Sequence, residues 1–357
     1  MLRYTDMLEA GLTGLGHEVI VVRPEPIFGR LCKSAGGMGK WLGYVDKFVI
    51  FPVQLRKRVK AMPGAVTHIC DHSNAMYVRW LKDVPHLVTC HDLLAVRSAL
   101  GHFPQNRTGW TGRLLQRWIR TSLLKAKRVI CDSEATRKDL ISLGGDPAKI
   151  STVYIGLNHP YAPQEEAWIQ NALAGLPAVA QLEPRGYIFH VGASVWYKNR
   201  PGLLRIYFNY VNQGGRLPLV MAGAPLNAEE SEVLATRPAG ATVIHVGTVT
   251  NDELNALYCR AACLLFPSLY EGFGWPVLEA MAAGCPVICS DRASLPEVGG
   301  GAAIYIDPGD ETGAASRLLE VLSVGNLNKI TRSGFMQVER FALDFIKSGL
   351  IDGYARC

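Results

Sequence analysis

Short apolar runs bounded by polar residues, glycine or proline recur along this chain, and segments with helical spacing lie between several of them. In the first half, the predicted strands are Glu18–Val22, Phe48–Phe51, Val66–Cys70, Leu87–Cys90 and Arg128–Cys131. In the second half, they are Tyr187–Val191, Pro218–Met221, Thr242–Val246, Cys263–Phe266 and Cys285–Cys289. Buried parallel strands have this continuous apolar character. The alternation predicts an α/β fold with helices on both faces of a parallel sheet.

Apolar residues at helical spacing predict the helices, and glycine and proline mark the connections. The predicted helices are Arg3–Leu15, a helix ending near Lys60, Gly112–Arg128, Pro201–Asn212, Asn251–Ala262 and Phe335–Ile351. Residues 24–44 are rich in glycine and lack periodicity, which predicts a loop. Residues 152–186 carry several prolines, as domain junctions do. We predict an N-terminal domain over 1–165, a C-terminal domain over 166–334 and a terminal helix within 335–357.

The stretch SLYEGFGWPVLE, residues 268–279, follows a predicted buried strand that a proline ends. Gly272 and Gly274 predict a loop whose backbone can approach a ligand closely. Pro276 suits the first position of a helix, and Gly284 suits the position just past its end. A helix N-terminus behind such a loop presents free N–H groups and a positive dipole, which favour an anion such as phosphate.

Two carboxylates bracket this loop. Glu271 precedes the glycines and Glu279 lies in the predicted helix, with seven residues between them. A carboxylate is a poor partner for phosphate but a good acceptor for the hydroxyls of a ribose or a hexose. The alternative is that both are ordinary acids near a helix terminus.

The string PSLYEGFGWPVLEAMAAGCPV resembles the E-x7-E signature of retaining glycosyltransferase family 4. The resemblance implies the GT-B architecture, in which two Rossmann-like doubly wound domains face a cleft and a terminal helix crosses back to the first domain. It implies that a hexose of mannose or glucose type moves, with retention and without a metal, from a nucleoside-diphosphate sugar to a glycan or lipid-linked acceptor. In that family pattern Glu271 faces the donor sugar near its anomeric centre, and Glu279 holds the ribose hydroxyls.

The same resemblance implies other site residues. His91 follows a predicted strand in a His-Asp pair and would reach the donor sugar, with a loop histidine of no catalytic role as the alternative. Lys198 would bind the diphosphate. Thr248 and Val249 would hold the base through backbone groups, so UDP and GDP donors are not distinguished. The remaining predicted donor-binding residues are Gly192, Ser194, Phe273, Gly274 and Trp275.

The chain departs from the family pattern at two places. Tyr197 stands where an arginine is common, so Lys198 is either the single cation of the diphosphate site or is helped by Arg200. The strand and glycine-rich loop that normally precede the first helix are missing. Because the first strand of a doubly wound sheet is central, we expect a truncated start, or a gap that another segment fills.

Composition sets further bounds. A chain of 357 residues is long enough for two domains with separate cores. There is no run of eighteen apolar residues and no signal-peptide pattern. The nine cysteines are odd in number and include no C-x-x-C, which favours reduced thiols in a cytoplasmic protein over disulfides or zinc. We expect no metal and no cofactor besides the nucleotide sugar.

Charge is unevenly distributed. Residues 1–150 hold 23 Lys and Arg against 12 Asp and Glu, whereas the remainder holds 14 against 19. A basic half favours an acidic substrate or an anionic membrane surface, and we expect no nucleic acid. The helix over Gly112–Arg128 sets Arg113, Arg117 and Arg120 opposite its apolar face. It is either a core helix with a solvated basic face or a peripheral contact with the inner membrane face.

Other classes remain open. A nucleotide-sugar epimerase or a phosphorylase shares this architecture, and a missing first strand is also compatible with an inactive donor-binding relic. An NAD oxidoreductase is disfavoured because no G-x-G-x-x-G follows the first predicted strand.

Overall fold

The computed structural model describes residues 2–25, 27–28, 38–323 and 327–357, which form two compact units. The first unit comprises the described parts of Met1–Asp132, Arg137–Val153 and Ile346–Cys357. The second comprises Ser133–Thr136 and the described part of Tyr154–Phe345. The predicted domain boundaries, after residues 165 and 334, stay predictions.

The first unit is a parallel sheet with helices. Its strands are β1 (Thr67–Ile69), β2 (His86–Cys90), β3 (Arg128–Cys131) and β4 (Ile150–Thr152). The helices of this part of the chain are α1 (Leu2–Thr13), α2 (Met38–Val45), α3 (Phe51–Lys60), α4 (Val78–Leu81), α5 (Leu94–Ala99), α6 (Trp110–Leu123) and α7 (Glu134–Ser142). All five residues of β2 are buried, as expected for an inner strand of a parallel sheet.

The strands at Val66–Cys70, Leu87–Cys90 and Arg128–Cys131 are confirmed as β1, β2 and β3. The strand predicted at Phe48–Phe51 is wrong. Residues 46–50 form a π-helical turn that continues into α3. Phe51, Leu55 and Val59 are all buried, and successive members are four residues apart, about one helical turn. Apolar residues at this four-residue spacing pack on one face of a helix, so the short apolar run belongs to a helix.

The strand predicted at Glu18–Val22 is also wrong, because the described residues 17–25 pair with no strand. The expected truncated start, or gap that another segment fills, stays a prediction. The four strands are neighbours in the order β1-β2-β3-β4, with every pair parallel. Residues 26 and 29–37 of the predicted loop over 24–44 lie outside the described residues, and its last part is helix α2.

The second unit contains the larger sheet. Its strands are β5 (Ile188–Val191), β6 (Leu219–Ala222), β7 (Val243–Gly247), β8 (Cys263–Phe266), β9 (Val287–Ser290) and β10 (Ile304–Ile306). The helices from here to the end of the chain are α8 (Glu166–Ala172), α9 (Pro177–Ala180), α10 (Arg200–Asn212), α11 (Ala228–Ala235), α12 (Asn251–Arg260), α13 (Trp275–Ala282), α14 (Leu295–Gly299), α15 (Glu311–Ser323), α16 (Leu327–Glu339) and α17 (Leu343–Ala355).

The strand order of this sheet, β10-β9-β8-β5-β6-β7, places a switch point between β5 and β8. The chain adds β6 and β7 on one side of β5 and then crosses to the other side for β8. Ligands of doubly wound sheets bind outside the carboxyl ends of the strands at such a point. A ligand site is therefore expected at the loops after β5 and β8.

The structure divides the predicted terminal helix into two helices. The expected helix over Phe335–Ile351 is interrupted, because α16 ends at Glu339 and α17 begins at Leu343. Between them Phe341 is 5% exposed and packs edge-on against the rings of Tyr154 and Phe273. Burial of this ring accompanies the break in the helix.

Candidate active site

The loop after β8 has the strand-loop-helix form that its sequence predicts. Gly274 precedes helix α13 with a φ of +109°, a conformation that glycine adopts at little cost. A Cβ at this position would lie 2.7 Å from Cδ2 of Leu295, so space as well as backbone angle requires glycine. Pro276 is the second residue of the helix, one later than predicted, and Gly284 follows the helix end with a φ of +78°.

Two serine hydroxyls fix this loop. The Oγ atom of Ser294 lies 2.9 Å from the carbonyl oxygen of Glu271 and 2.7 Å from that of Phe273. Within the same unit, the hydroxyl of Ser133 donates to the carbonyl of Gly272 over 2.6 Å. Both serines are fully buried. Buried hydroxyls that bind carbonyls on three residues in succession restrict how the loop can move.

A buried ion pair joins the loops at the switch point. The Nζ atom of Lys198 donates to Oε1 of Glu271 over 2.8 Å, with side chains 14% and 9% exposed. Lys198 lies in a 3₁₀ turn after β5, and the next residue, Asn199, adopts a left-handed backbone and donates to the carbonyl of Pro267. The side chain of Lys198 is therefore largely buried and paired, unlike that of a typical surface lysine. Because a buried charge that loses its partner is costly, each member holds the other in place.

Glu279 lies on α13 and is 4% exposed. The hydroxyl of Tyr258, on α12, lies 3.1 Å from its Oε2 atom. Sequence analysis missed this tyrosine, since nothing in a helix of mixed polarity distinguishes it from other core aromatics. Glu271 and Glu279 are therefore both buried and both hydrogen-bonded, rather than solvated acids near a helix terminus.

The loop after β5 is held by a second polar network. Ser194 donates to Oε1 of Glu230 over 2.8 Å and accepts from the side chain of Asn227 over 2.9 Å. Glu230 is buried and lies 3.5 Å from the guanidinium of Arg200. Arg200 is itself fully buried and donates to the carbonyl of Ala224. Arg200 thus supports the loop from within the protein. The sequence had left open a second role for it, as a further cation for the diphosphate.

The other predicted donor-binding residues occupy neighbouring loops. A Cβ on Gly192 would lie 3.3 Å from Nε2 of His190 and 3.5 Å from Cδ of Lys198, so this backbone passes close to the lysine. Thr248 is exposed and Val249 is half-buried; they precede α12, whose capping box is formed by Thr250 and Glu253.

Two aromatic side chains of the signature have structural partners. Phe273 is 5% exposed and packs against Phe341. The indole N–H of Trp275 donates to the carbonyl of Gly156 over 3.0 Å. The donor-binding roles of Phe273 and Trp275 stay predictions.

His91 belongs to the first unit and follows β2. Its Nδ1 lies 2.5 Å from Oδ2 of Asp132, and its Nε2 lies 2.8 Å from the carbonyl of Cys70. Both acceptors require N–H groups, so the ring is an imidazolium. Burial lowers the pKa of His91, but the charge and hydrogen bond of Asp132 outweigh it and raise that pKa to about 9.

Comparison with known proteins identifies the family. Residues 1–159 match the model of a family described as Glycosyltransferase Family 4, and residues 185–324 match one described as Glycosyl transferases group 1. The O-antigen chain mannosyltransferase B of Escherichia coli is 30% identical over 275 residues, which cover 75% of this chain and 69% of that protein. The chain belongs to glycosyltransferase family 4.

A further relative of this family 4 glycosyltransferase is the O-antigen chain mannosyltransferase RfbU of Salmonella typhimurium. The two are 30% identical over 201 residues, and the match covers 54% of this chain but only 50% of the relative.

Solved structures confirm the GT-B fold. The Anabaena protein HepE, solved in complex with UDP-glucose, has a TM-score of 0.67 at 15% identity, and the match covers 85% of this chain and 81% of that chain. A UDP-forming α,α-trehalose-phosphate synthase from Burkholderia xenovorans also has a TM-score of 0.67 at 15% identity, with 90% and 80% covered. Identity this low establishes the fold and nothing further.

The described residues of this glycosyltransferase contain no group of three His, Cys, Asp or Glu side chains placed to hold a metal ion. No helix among them is both long and apolar enough to cross a bilayer.

Proposed function

We propose that this glycosyltransferase moves a hexose from a nucleoside-diphosphate sugar to a glycan or lipid-linked acceptor, with retention and without a metal. The observation that carries the proposal is the buried pair of Lys198 and Glu271 at the switch point between β5 and β8. A cation and a carboxylate set side by side suit a ligand that has a diphosphate at one end and sugar hydroxyls at the other. Relatives named as mannosyltransferases favour mannose as the sugar.

Each residue has a part in this scheme. The diphosphate carries more charge than one carboxylate, so it competes with Glu271 for the ammonium group of Lys198. Glu271 is then released toward the hydroxyls of the donor sugar. Glu279 accepts from the ribose hydroxyls, and backbone groups of Thr248 and Val249 face the base. His91 is an imidazolium in this scheme, so it contributes positive charge and does not act as a general base.

The proposed reaction is a front-face displacement. The acceptor oxygen forms its bond to the anomeric carbon on the face from which the diphosphate departs, while the bond from that carbon to the phosphate oxygen breaks. The departing phosphate oxygen takes the proton of the acceptor hydroxyl. Lys198 stabilises the charge that develops on the phosphate, which is the kind of electrostatic contribution that lowers such barriers most.

The test is a transfer assay in EDTA with GDP-mannose or UDP-glucose and a panel of mannose-terminated oligosaccharides. We expect release of the nucleoside diphosphate and a product whose anomeric configuration, read by NMR, equals that of the donor. Glu271→Gln should lower kcat by about 100-fold or more. The control is Glu229→Gln, which changes an exposed acid of the same unit and should leave kcat unchanged.

Other outcomes would contradict the proposal in different ways. An inverted product or an absolute requirement for added metal would refute the mechanism. Conversion of the donor without any acceptor would indicate an epimerase. Tight donor binding without turnover across the panel would indicate a donor-binding relic.

We also propose a peripheral contact with an anionic membrane surface through α6. Trp110 and Leu114, on one face of this helix, are 69% and 59% exposed, and Arg113 and Arg117 beside them are exposed as well. Aromatic and aliphatic side chains flanked by arginine are typical of helices that lie in a lipid interface. Arg120, the third predicted arginine, is engaged elsewhere, because its Nε and Nη2 atoms donate to the carbonyl of Leu143.

A further inference from the structure

Glu279 is held by a group to which the family signature assigns no part. Tyr258, fully buried on α12, has its hydroxyl 3.1 Å from Oε2 of the carboxylate. An ionised carboxylate is an acceptor only, so the tyrosine is the donor of this hydrogen bond. The two residues are 21 positions apart in the chain and meet only because α12 and α13 pack together.

The position of the hydroxyl is set by packing around the ring. Tyr258 meets Phe189 of β5 edge-on, with ring centroids 5.3 Å apart, and meets Tyr161 with centroids 6.0 Å apart. Both contacts approach a right angle, at 84° and 75°. Edge-to-face contacts in a dense core hold a ring in one orientation. The donor is therefore fixed before any ligand arrives.

The tyrosine also keeps its proton over a wide range of pH. Burial, and after it the charge of Glu279, raises the pKa of Tyr258 well above its ordinary value. Each oxygen of a carboxylate has about two lone-pair sites, so one hydrogen bond from Tyr258 leaves acceptor capacity for a ligand. The side chain of a glutamate has several rotatable bonds. A fixed donor on one carboxylate oxygen restricts this side chain in advance, so it loses less conformational entropy when the ligand hydroxyls bind.

We propose that Tyr258 is a positioning residue, which holds the Glu279 carboxylate in the orientation that accepts the ribose hydroxyls of the nucleotide. This inference rests on the proposed function, because it takes ribose as the ligand of Glu279. Tyr258 does not touch the nucleotide itself. Its effect is selective: it changes how strongly the protein distinguishes a ribonucleotide from one that lacks a ribose hydroxyl.

The chain offers a matched control. Tyr187, in the same unit, is fully buried and donates its hydroxyl to the carbonyl of Leu257 over 2.7 Å. Tyr187→Phe thus also removes one buried tyrosine hydroxyl, but its partner is a backbone carbonyl and not the Glu279 carboxylate. A general loss of stability will appear in both variants, whereas a loss of carboxylate orientation will appear only in Tyr258→Phe.

The experiment is calorimetric titration with GDP and UDP and with their 2′-deoxy and 3′-deoxy forms. The measured quantity is the affinity ratio of each ribonucleotide to its deoxy form. If the wild type prefers the ribonucleotide by about tenfold, Tyr258→Phe should reduce that ratio to about threefold, and Glu279→Ala should bring it close to one. Tyr187→Phe should keep the wild-type ratio. Thermal melts verify that each variant is folded.

The outcomes separate this inference from the proposed function. If Glu279→Ala keeps the wild-type ratio, the ribose contact is wrong and the proposed role of Glu279 fails. If Glu279→Ala removes the preference while a folded Tyr258→Phe retains it fully, the positioning role of Tyr258 is overturned and the ribose contact stands. Should Tyr258→Phe not fold, Tyr258→Met supplies the same test, because methionine is apolar, adapts to irregular core space and has no hydroxyl; a wild-type ratio in that variant likewise overturns the role.

Discussion

At the scale of single residues, three charged side chains of low exposure in the described part of the chain each have a partner of opposite charge. Lys198 has Glu271, Arg200 has Glu230, and His91 has Asp132. Leaving one member alone in the interior would cost several kcal/mol, so each pair persists as a unit. The consequence is that substitutions at these positions have to be interpreted through the partner as well as through the residue itself.

The His91–Asp132 pair predicts a pH dependence of stability. The pKa of His91 is raised to about 9, against an ordinary value of 6.5. A folded-state pKa above the unfolded one gives stability that is fully present below pH 6.5 and is lost as the pH rises through 9. The contribution is on the order of 3 kcal/mol. Urea unfolding between pH 6 and 9.5 should therefore show falling stability.

The control for this prediction is Asp132→Asn. Without the carboxylate, burial is the main influence on the histidine, and burial lowers the pKa of a histidine. The fall in stability between pH 6.5 and 8, below the range in which thiols ionise, should then disappear. A wild-type curve that is flat over this range would show that His91 is not held as an imidazolium.

At the scale of elements, glycine determines where the site helix begins. The φ of Gly274 is +109°, and a Cβ there would meet Leu295, whereas Gly240, with a φ of +85°, has open space around it. The two positions separate backbone strain from crowding. An L-residue in the left-handed region costs about 1–2 kcal/mol, and forcing an extra carbon into a packed region costs about 1–3 kcal/mol more.

We therefore predict that Gly274→Ala destabilises the protein more than Gly240→Ala does. The expected losses are about 2–5 kcal/mol and about 1–2 kcal/mol, both measured by urea unfolding. Gly274→Ala should in addition weaken binding of nucleoside diphosphates, since α13 and its loop must shift. Equal losses in the two variants would mean that Leu295 yields freely and that the loop is less tightly packed than the structure indicates.

At the scale of the whole molecule, the uneven distribution of charge needs an explanation. The first 150 residues carry 23 basic against 12 acidic side chains, and the proposed diphosphate site takes its lysine from the other part of the chain. Between α5 and α6 lies an apolar cleft of about 360 Å³, lined by Val96, Ala99, Leu100, Arg113, Gln116, Arg117 and Arg120. Apolar surface next to exposed arginine is the chemistry that an anionic lipid surface would meet.

Vesicle sedimentation tests this use of charge. The protein should bind vesicles that contain phosphatidylglycerol at low salt, and it should be released as salt rises. Each nearby arginine contributes about 1 kcal/mol, so Arg113→Gln with Arg117→Gln should weaken binding by about 30-fold. Arg56→Gln with Arg58→Gln removes the same charge from exposed positions on α3. Equal weakening in both would indicate net charge alone, and indifference to lipid charge would remove the membrane proposal.

Several features were determined by the sequence alone, and all of them are local. Glycine and proline stereochemistry predicted the loop around Gly274 and the end of α13 at Gly284, and the structure confirms both. Apolar runs predicted strands β1, β2, β3, β5, β6, β7, β8 and β9 to within two residues at either end. The string PSLYEGFGWPVLEAMAAGCPV, which contains Glu271 and Glu279, resembled the signature of glycosyltransferase family 4. The same local method failed at Phe48–Phe51, where a short apolar run fits a helix and a strand equally well.

What the tertiary structure decided depends on contacts between residues far apart in the chain. Lys198 meets Glu271 across 73 positions, and Tyr258 meets Glu279 across 21. Arg120 reaches the carbonyl of Leu143, and Arg200 is buried beside Glu230. A local sequence pattern does not predict such partners. Two side chains meet only when packing brings their elements together and removes both groups from water. Burial then determines which charges are paired, which remain exposed and which group positions another.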